Sequence, residues 1–549
     1  MLLSIQGCFL SDVLPEEAQK RKSAKLPDPP VVLPLLPKPP ILSPVRLMRR
    51  LSIDIMGTLP DQKDIDLIVS DRSRYYGIAE RLLNSSIAAV NVSQLHQRMW
   101  DMRADNLPDF DRFIAEGDSV LGPSLTAEMR TLIISEPLQF IRFQYENRLP
   151  FSDIFTAPYS FGTEGLMNLW GTTSSGIPWT GHPWNFTEFP DERPASGIIG
   201  SFAFLATIDS RGLNNIAFNV LSRFNCAEME NKYAHIFYEI PPADLVKDLK
   251  AYSQESKRCA SCHRPIENAH IALKDFVTGY TFDTWKEFVA PSTPIEGHYN
   301  GQAFTGTEGW LEAFKEDPRI HRCEAQKLIG ALNQRTYGSY DTTTISIGLA
   351  RYFDNNESLL ELIKAIVFSE DYMFDTVGPT MSGDYLRQSS GVRNLRRFQW
   401  KNILSSLHPV LAELDYPESL DPGIDEAINH EDMVPSGQYW SSVDRLARSA
   451  AEKIVEEELN DASTAITRRV FTALADKSGF GMKTEDINRQ IRLLWLRLTG
   501  EHLDSDFVTY TAFQTLWAAN KPEESEEKFR QAWRVVIVAM LTHPRFINY

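Results

Sequence analysis

Apolar residues recur at helical spacing along most of the chain. In the stretch "NNESLLELIKAIVFS", polar Asn355 and Asn356 precede a run whose apolar side chains share one helix face: Leu359, Leu362, Ile363, Ile366 and Val367. The same spacing predicts helices over 125–148, 442–475 and 526–544, the first with a disturbance at Pro137. The pattern therefore indicates a mainly α, multi-domain protein.

Two stretches depart from this helical pattern. Residues Pro27 to Pro44 hold eight prolines, which favours an extended polyproline II path or a proline-rich arm packed on its own domain. Residues Pro150 to Pro194 are rich in glycine and aromatic residues and are expected to form a loop-rich insertion. A loop of this length is usually functional or packed over another part of the protein.

These shifts divide the chain into six consecutive segments. A signal remnant or lipoprotein anchor (1–25) and a proline-rich linker (26–45) come first. The remaining segments are an N-terminal helical domain with the aromatic loops (46–195), a cytochrome c-like haem-binding domain (196–376), a loop-rich connection (377–439) and a C-terminal helical domain (440–549).

An internal similarity links two distant parts of the chain. "RRLSIDIMGTLPDQKDI" (49–65) resembles "RLLWLRLTGEHLDSDFV" (492–508), and each predicts a helix that ends at a left-handed glycine, Gly57 or Gly500. Each is followed by a helix that breaks at a small polar residue, and "LIKAIVFSEDYMF" matches this second half. Duplication is one interpretation; the general likeness of helical hairpins is the other.

Composition, charge and the N-terminal sequence limit the classes of partner and the location that are expected for the protein. The 549 residues are 43% hydrophobic and carry a formal charge of −17, which argues against nucleic acid as a partner. At the N-terminus, "MLLSIQGC" resembles the end of a bacterial lipoprotein signal with Cys8 as the lipidated residue, although Gln6 is too polar for the pattern. The alternative is that Cys8 is an ordinary buried or free cysteine.

The strongest chemical motif is "CASCH". Covalent attachment of haem c requires two thiols on one short segment and an imidazole immediately after them, and Cys259, Cys262 and His263 satisfy these requirements. A redox dithiol or a structural disulfide is a weaker interpretation, because a helical stretch rather than a strand precedes the motif. Zinc would need two further ligands, whereas the nearest cysteines in the sequence, Cys226 and Cys323, are single.

Haem c attachment takes place outside the cytoplasm, where disulfides also form. Cys226 and Cys323 are therefore a candidate pair that would enclose the haem segment, with two buried free thiols as the alternative.

Several blocks are similar to the cytochrome c-like, uncharacterised-domain proteins of planctomycetes and myxobacteria. "PFSDIFTAPYSF" (150–161) matches that family's "PF..L.TA.Y.F" phrase, and "SGIIGSFAFLATIDSRGLNNIAFNVLSRFNC" (196–226) matches the next block. "CASCHR" is close to the family's haem phrase, although "ENAH" stands here where the family has "DPIG". The resemblance spans most of 46–375 and, more weakly, 440–549. It implies one covalent haem and an extracytoplasmic location, and little about the biochemical role.

The sixth iron ligand has two candidates in the sequence. Met381 lies in the proline-containing stretch "VGPTMSGDY", and His298 lies in "EGHYNG". Methionine would give a higher reduction potential and histidine a lower one. The alternatives are a methionine packed in a core and a solvated loop histidine, since most methionines and many loop histidines have these roles.

The expected function is electron transfer by an extracytoplasmic mono-haem protein, within or next to a membrane complex. Its expected location is the periplasm or cell surface, tethered through Cys8, with redox proteins as partners. The alternative is a docking lipoprotein subunit in which haem is a structural staple. A haem enzyme is less favoured, because there is no second CxxCH, nucleophile elbow or phosphate loop.

Overall fold

The computed structural model describes the part of the chain that carries most of the predicted helices. The described residues are 41–100, 102, 127–170, 173–179, 182–188, 194–201, 204, 213–226, 269, 272–273, 296–333, 341–374, 395–420, 424–425, 430–431, 437–459, 469–473, 480 and 483–547.

The described residues are mainly α-helical, which confirms the predicted fold class at this level. The helices are α1 (Pro44–Leu51), α2 (Gln62–Ser70), α3 (Arg74–Leu83), α4 (Ser86–Met99), α5 (Ala127–Asn147), α6 (Glu164–Trp170), α7 (Leu213–Asn225), α8 (Gly306–Lys315), α9 (Pro318–Asn333), α10 (Thr342–Asp354), α11 (Leu359–Val367), α12 (Glu370–Met373), α13 (Arg397–Leu407), α14 (Gly437–Glu458), α15 (Thr484–Thr499), α16 (Phe507–Ala519), α17 (Glu526–Leu541) and α18 (Pro544–Ile547).

Short strands form three small antiparallel sheets. They are β1 (Ser160–Gly162), β2 (Thr173–Pro178), β3 (Asn185–Glu188), β4 (Glu296–Tyr299), β5 (Gln302–Thr305), β6 (Ile424–Asp425) and β7 (His430–Glu431). The first three form a sheet in the order β1-β3-β2, with Phe161 opposite Phe186, and the others form the hairpins β4–β5 and β6–β7.

The chain divides into two compact units, and each is discontinuous in sequence. Unit 1 comprises Met1–Lys38, Val92–Leu328 and Ile345–Leu362, and unit 2 comprises Pro39–Asn91, Ile329–Thr344 and Ile363–Tyr549.

Aromatic side chains form much of the core of unit 1. The Phe155 ring lies 5.0 Å from that of Phe224 and 5.3 Å from that of Phe314, and Trp100 packs edge-on against Phe224 at 5.2 Å. The predicted apolar stripe of 355–369 is buried in α11, as its spacing required. Helix α5 continues through Pro137.

Two segments expected to be loops contain regular structure. The sheet β1-β3-β2 and helix α6 lie within 150–194, where aromatic side chains bury the strands against Phe143 of α5. Within 377–439, helix α13 buries Trp400, Ile403 and Leu404 in the core of unit 2. Burial against distant residues stabilises both segments, and local sequence patterns do not report such contacts.

The internal similarity has a structural counterpart in unit 2. A π-helical turn, Ser52–Met56, extends α1 and ends at Gly57 with φ 68°, and α15 ends at Gly500 with φ 73°. Both glycines are left-handed, as predicted, a conformation that glycine adopts without the steric cost of a Cβ.

Two buried arginines at the end of α1 hold distant backbone in unit 2. Arg50 donates through Nη1 to the carbonyl oxygens of Tyr372 at 2.7 Å and Phe374 at 2.8 Å, at the end of α12. Arg49 donates through Nη2 to the carbonyl oxygen of Phe546 in α18 at 2.8 Å. Charged donors at helix C-termini satisfy carbonyls that have no partner within the helix.

We expect Arg50→Ala to lower the free energy of unfolding by about 2–4 kcal/mol, because it removes a buried charged donor from two carbonyl oxygens. Arg74→Ala is the matched control, since Arg74 is exposed and its ion pair with Asp71 is worth little. Chemical denaturation followed by circular dichroism measures the stability of both variants. Equal unfolding midpoints for Arg50→Ala and Arg74→Ala would contradict the structural role of Arg50.

Candidate functional site

The predicted haem-binding residues Cys259, Cys262 and His263 lie outside the described residues, as do Met381 and Cys8. The structure does describe the parts of unit 1 that flank the haem motif in sequence. These parts are the end of α7, a short stretch around Ala272, the hairpin β4–β5, and helices α8 and α9.

Cys226 and Cys323 are joined by a disulfide. Their Cα atoms lie 5.3 Å apart, and the bond closes a loop with a sequence separation of 97 residues. Cys226 follows the last residue of α7 with φ 49°, and Cys323 is buried in α9. The closed loop contains the CxxCH motif.

Residues just beyond the motif pack into unit 1. Ala269, Ala272 and Leu273 are buried, and the carbonyl oxygen of Ala272 accepts a hydrogen bond of 2.7 Å from the Thr307 hydroxyl. Thr307 lies in the first turn of α8, so this helix anchors the chain nine residues after His263.

A buried carboxylate, Asp317, connects three elements next to the disulfide. Its Oδ2 accepts hydrogen bonds from Asn225 Nδ2 at 2.9 Å, the Tyr299 hydroxyl at 2.8 Å and Asn300 Nδ2 at 2.8 Å. Arg319 completes the set, with its Nη2 at 2.6 Å from the same oxygen. The end of α7, the turn of the β4–β5 hairpin and the start of α9 therefore meet at one carboxylate.

The hydrogen bonds keep this carboxylate charged. Burial alone would raise the pKa of Asp317, but the bonds from the side chain and backbone of Arg319 and from Tyr299 and Asn300 lower it to about 2. The ionised form is therefore the one that holds the three elements together at neutral pH.

A second polar cluster lies along α9. His96 is fully buried, and its Nδ1 lies 2.7 Å from the carbonyl oxygen of Val92 while its Nε2 lies 2.8 Å from Glu324 Oε1. The imidazole therefore joins the Val92 carbonyl of α4 to the Glu324 carboxylate of α9.

One turn further along α9, Lys327 bonds to backbone at the ends of two other helices. Its Nζ donates to the carbonyl oxygens of Arg223 at 2.6 Å and Met99 at 3.4 Å. Burial lowers the pKa of Lys327 to about 8, despite the opposing effect of nearby Glu324. The amine therefore links the ends of α4 and α7 to α9.

His298, the predicted alternative iron ligand, lies on β4 opposite Ala303, and its side chain is exposed. No contact with another predicted site residue is described for it.

A histidine that the sequence analysis did not single out has more distinctive surroundings. The His182 ring lies 4.1 Å from that of Trp179, and its Nε2 lies 3.3 Å from Glu146 Oε2. Its Nδ1 is buried and has no hydrogen-bond partner among the residues that the structure describes. Burial, and then nearby Arg142, lower the pKa of His182, although Glu146 opposes them. In the sequence, only the high aromatic content of 150–194 indicated that the region around His182 could be functional.

Comparisons with protein-family models, with curated proteins and with solved structures give no match. The resemblance to the cytochrome c-like family therefore stays a prediction. Among the described residues, no group of three or more His, Cys, Asp or Glu side chains is arranged to hold a metal ion. In the same part of the chain, no helix combines the length and the apolar character needed to cross a membrane.

We expect Asp317→Asn to lower the free energy of unfolding by about 2.5 kcal/mol near pH 7, from the drop in pKa between 3.8 and about 2. A depressed folded-state pKa stabilises above the unfolded-state pKa and loses this effect as pH falls through the folded-state value. The difference in unfolding free energy between wild type and variant should therefore decrease from pH 5 to pH 2. Asp354→Asn, an exposed position in unit 1, is the control; a gap independent of pH would contradict the role of the charge.

Replacing Cys226 and Cys323 together by serine should lower the free energy of unfolding by about 4 kcal/mol, because the released loop is long. Denaturation with and without a reducing agent measures this effect. The reductant should shift the wild type towards the double variant and leave the variant unchanged. A wild type insensitive to reductant, with free thiols at both positions, would refute the disulfide.

Proposed function

We propose that the protein is an extracytoplasmic mono-haem c-type cytochrome-like protein that transfers electrons within or next to a membrane complex. The observation that carries the proposal is the CxxCH motif of Cys259, Cys262 and His263, enclosed by the loop that the Cys226–Cys323 disulfide closes. Disulfides persist in the oxidising compartments in which haem c is attached, which supports the periplasm or cell surface as the location.

The residues present fit a covalent haem. Two thiols and an imidazole form the complete attachment set, and a bound haem would supply a one-electron redox couple. The described residues hold the chain in place before and after the motif. Asn225 and Cys226 fix the chain before it, and Thr307 fixes the chain after it through Ala272.

The chain next to the motif is held by hydrogen bonds and by a covalent bond, namely the network around Asp317 and the disulfide. Both lie outside the CxxCH motif, so they can position its segment without using its three attachment residues.

Anchoring at a membrane is proposed through lipidated Cys8, with the part of the predicted 26–45 linker that precedes residue 41 as a spacer. The end of that linker belongs to the folded unit instead, because Ile41 forms a β-bridge with Phe374 and α1 begins at Pro44. A polyproline II path rises about 3.1 Å per residue, so such a spacer would hold the body on the order of 50 Å from the lipid surface.

The second candidate is a docking subunit in which haem acts as a staple. The observation that favours it is a pair of neighbouring apolar residues at the start of α16, Phe507 and Val508, which are 76% and 78% exposed. Exposed apolar side chains of this size suit a protein partner.

We expect the protein, produced in a periplasm with haem c maturation, to carry one haem per chain that survives denaturing electrophoresis and gives a haem c pyridine haemochrome spectrum. The Cys259→Ala/Cys262→Ala double variant should lose this haem, because both thioether bonds are absent. His298→Ala is the control for attachment and should retain it. A haem-free wild type, with both thiols free or bonded to each other, would overturn the proposal.

The two candidate functions differ in the behaviour of the same double variant. For an electron carrier, the variant should assemble with its membrane partners and lose electron flow. For a docking subunit stapled by haem, assembly itself should fail. Co-purification and reduction kinetics on one membrane preparation separate these outcomes.

The distal iron ligand is proposed to be Met381, with His298 as the alternative. Met381→Ala should remove the long-wavelength absorption band of methionine-ligated ferric haem, lower the reduction potential and allow the reduced protein to bind carbon monoxide. His298→Ala should leave all three readouts unchanged. The reverse result would assign His298, and no change in either variant would exclude both residues.

A further inference from the structure

Unit 2 contains a cleft of about 480 Å³ that none of the predicted functions uses. It lies between the start of α1, the end of α2, the residues that follow Gly500, and α18. We refer to it as the Arg46 cleft. Its volume is within the range of small-molecule sites.

Three arginines and two carboxylates line the Arg46 cleft. Arg46 Nε and Arg545 Nη1 lie 3.1 Å and 2.8 Å from the same atom, Glu501 Oε1. Arg72 also lines the cleft, is exposed, and has no ion-pair partner among the described residues. Two guanidinium groups thus share one carboxylate oxygen. The third, that of Arg72, has no ion pair among the described residues.

The second carboxylate, Asp506, is already engaged. It accepts hydrogen bonds from the backbone N–H of Thr509 at 3.0 Å and from the Thr509 hydroxyl at 2.7 Å, and so caps α16. Both lining carboxylates, Glu501 and Asp506, therefore already bond to other groups, whereas the described residues offer Arg72 no ion-pair partner.

Four apolar residues also line the cleft. Pro44 and Val45 belong to α1, and Ile68 and Val69 belong to α2. Val45 and Ile68 are buried, whereas Val69 is 49% exposed, so an aliphatic chain against Val69 would remove apolar surface from water on both partners.

Gly500 lies close to the start of α1. A Cβ at this glycine would lie 3.4 Å from the carbonyl oxygen of Val45 and 3.5 Å from the Arg46 Cα atom. With φ 73°, the position is strained for any other residue. The left-handed turn at Gly500 thus places Glu501 next to Arg46.

We propose that the Arg46 cleft binds a small monocarboxylate that carries a short aliphatic chain. The carboxylate would pair with Arg72 and with Arg545, and the chain would lie against Pro44 and Val69. The open guanidinium of Arg72 matches a monoanion, whereas Glu501 and Asp506 would repel the second charge of a phosphate dianion. This site is independent of the proposed haem and can be tested on the same purified chain.

The test is titration of the full-length protein with hexanoate, hexylamine and inorganic phosphate, followed by calorimetry and by ligand-observed NMR. We expect hexanoate to bind with a dissociation constant on the order of 1 mM, and hexylamine and phosphate at least tenfold more weakly. Equal binding of hexanoate and hexylamine, or no binding of hexanoate at 20-fold that concentration, approximately 20 mM, would overturn the proposal.

Arg72→Gln should weaken hexanoate binding about tenfold, because it removes the open guanidinium from the cleft. The matched control is Arg74→Gln, which changes an equally exposed arginine two residues away that does not line the cleft. Neither change touches the core, so both variants should keep the wild-type unfolding midpoint. Unchanged affinity in Arg72→Gln, or equal losses in both variants, would place hexanoate elsewhere.

Discussion

Burying the carboxylate of Asp317 removes it from water, and the hydrogen bonds that compensate come from three separate elements. Asn225 at the end of α7, Tyr299 and Asn300 at the hairpin turn, and Arg319 in α9 each donate to it. Removing any one of them leaves a buried charge with fewer partners, so the elements are coupled energetically. The disulfide between Cys226 and Cys323 lies beside this network.

In unit 2, positively charged side chains connect distant segments of the chain. Arg49 and Arg50 are adjacent in sequence, and each bonds to backbone carbonyl oxygens more than 300 residues away. An arginine can satisfy several carbonyl oxygens from one position because its donors are spread over a planar group. In unit 1, donors from several elements bond to one acceptor, the Asp317 carboxylate. In unit 2, arginine donors bond to the carbonyl oxygens of distant segments, and in both cases the charged group lies near the end of a helix.

The sequence was informative where structure depends on neighbours in the chain. The apolar stripe of α11 and the left-handed glycines Gly57 and Gly500 follow from local spacing and local sterics, and both were predictable. The sheet of 150–194 and helix α13 were missed, because their stability comes from Phe143 and from the core around Trp400. The pair of His96 and Glu324 joins residues 228 positions apart, a separation over which no periodicity carries information. His182 and the Arg46 cleft also depend on residues that are far apart in sequence. The CxxCH segment lies outside the described residues and stays a prediction from sequence.

Cys226 directly follows Asn225, whose side chain is bonded to Asp317, and Cys323 lies six residues after that aspartate in α9. Helices α7 and α9 therefore contribute to both the polar network and the disulfide. Such packing would favour bonding between these two of the chain's five cysteines, because groups held close together have a high effective concentration.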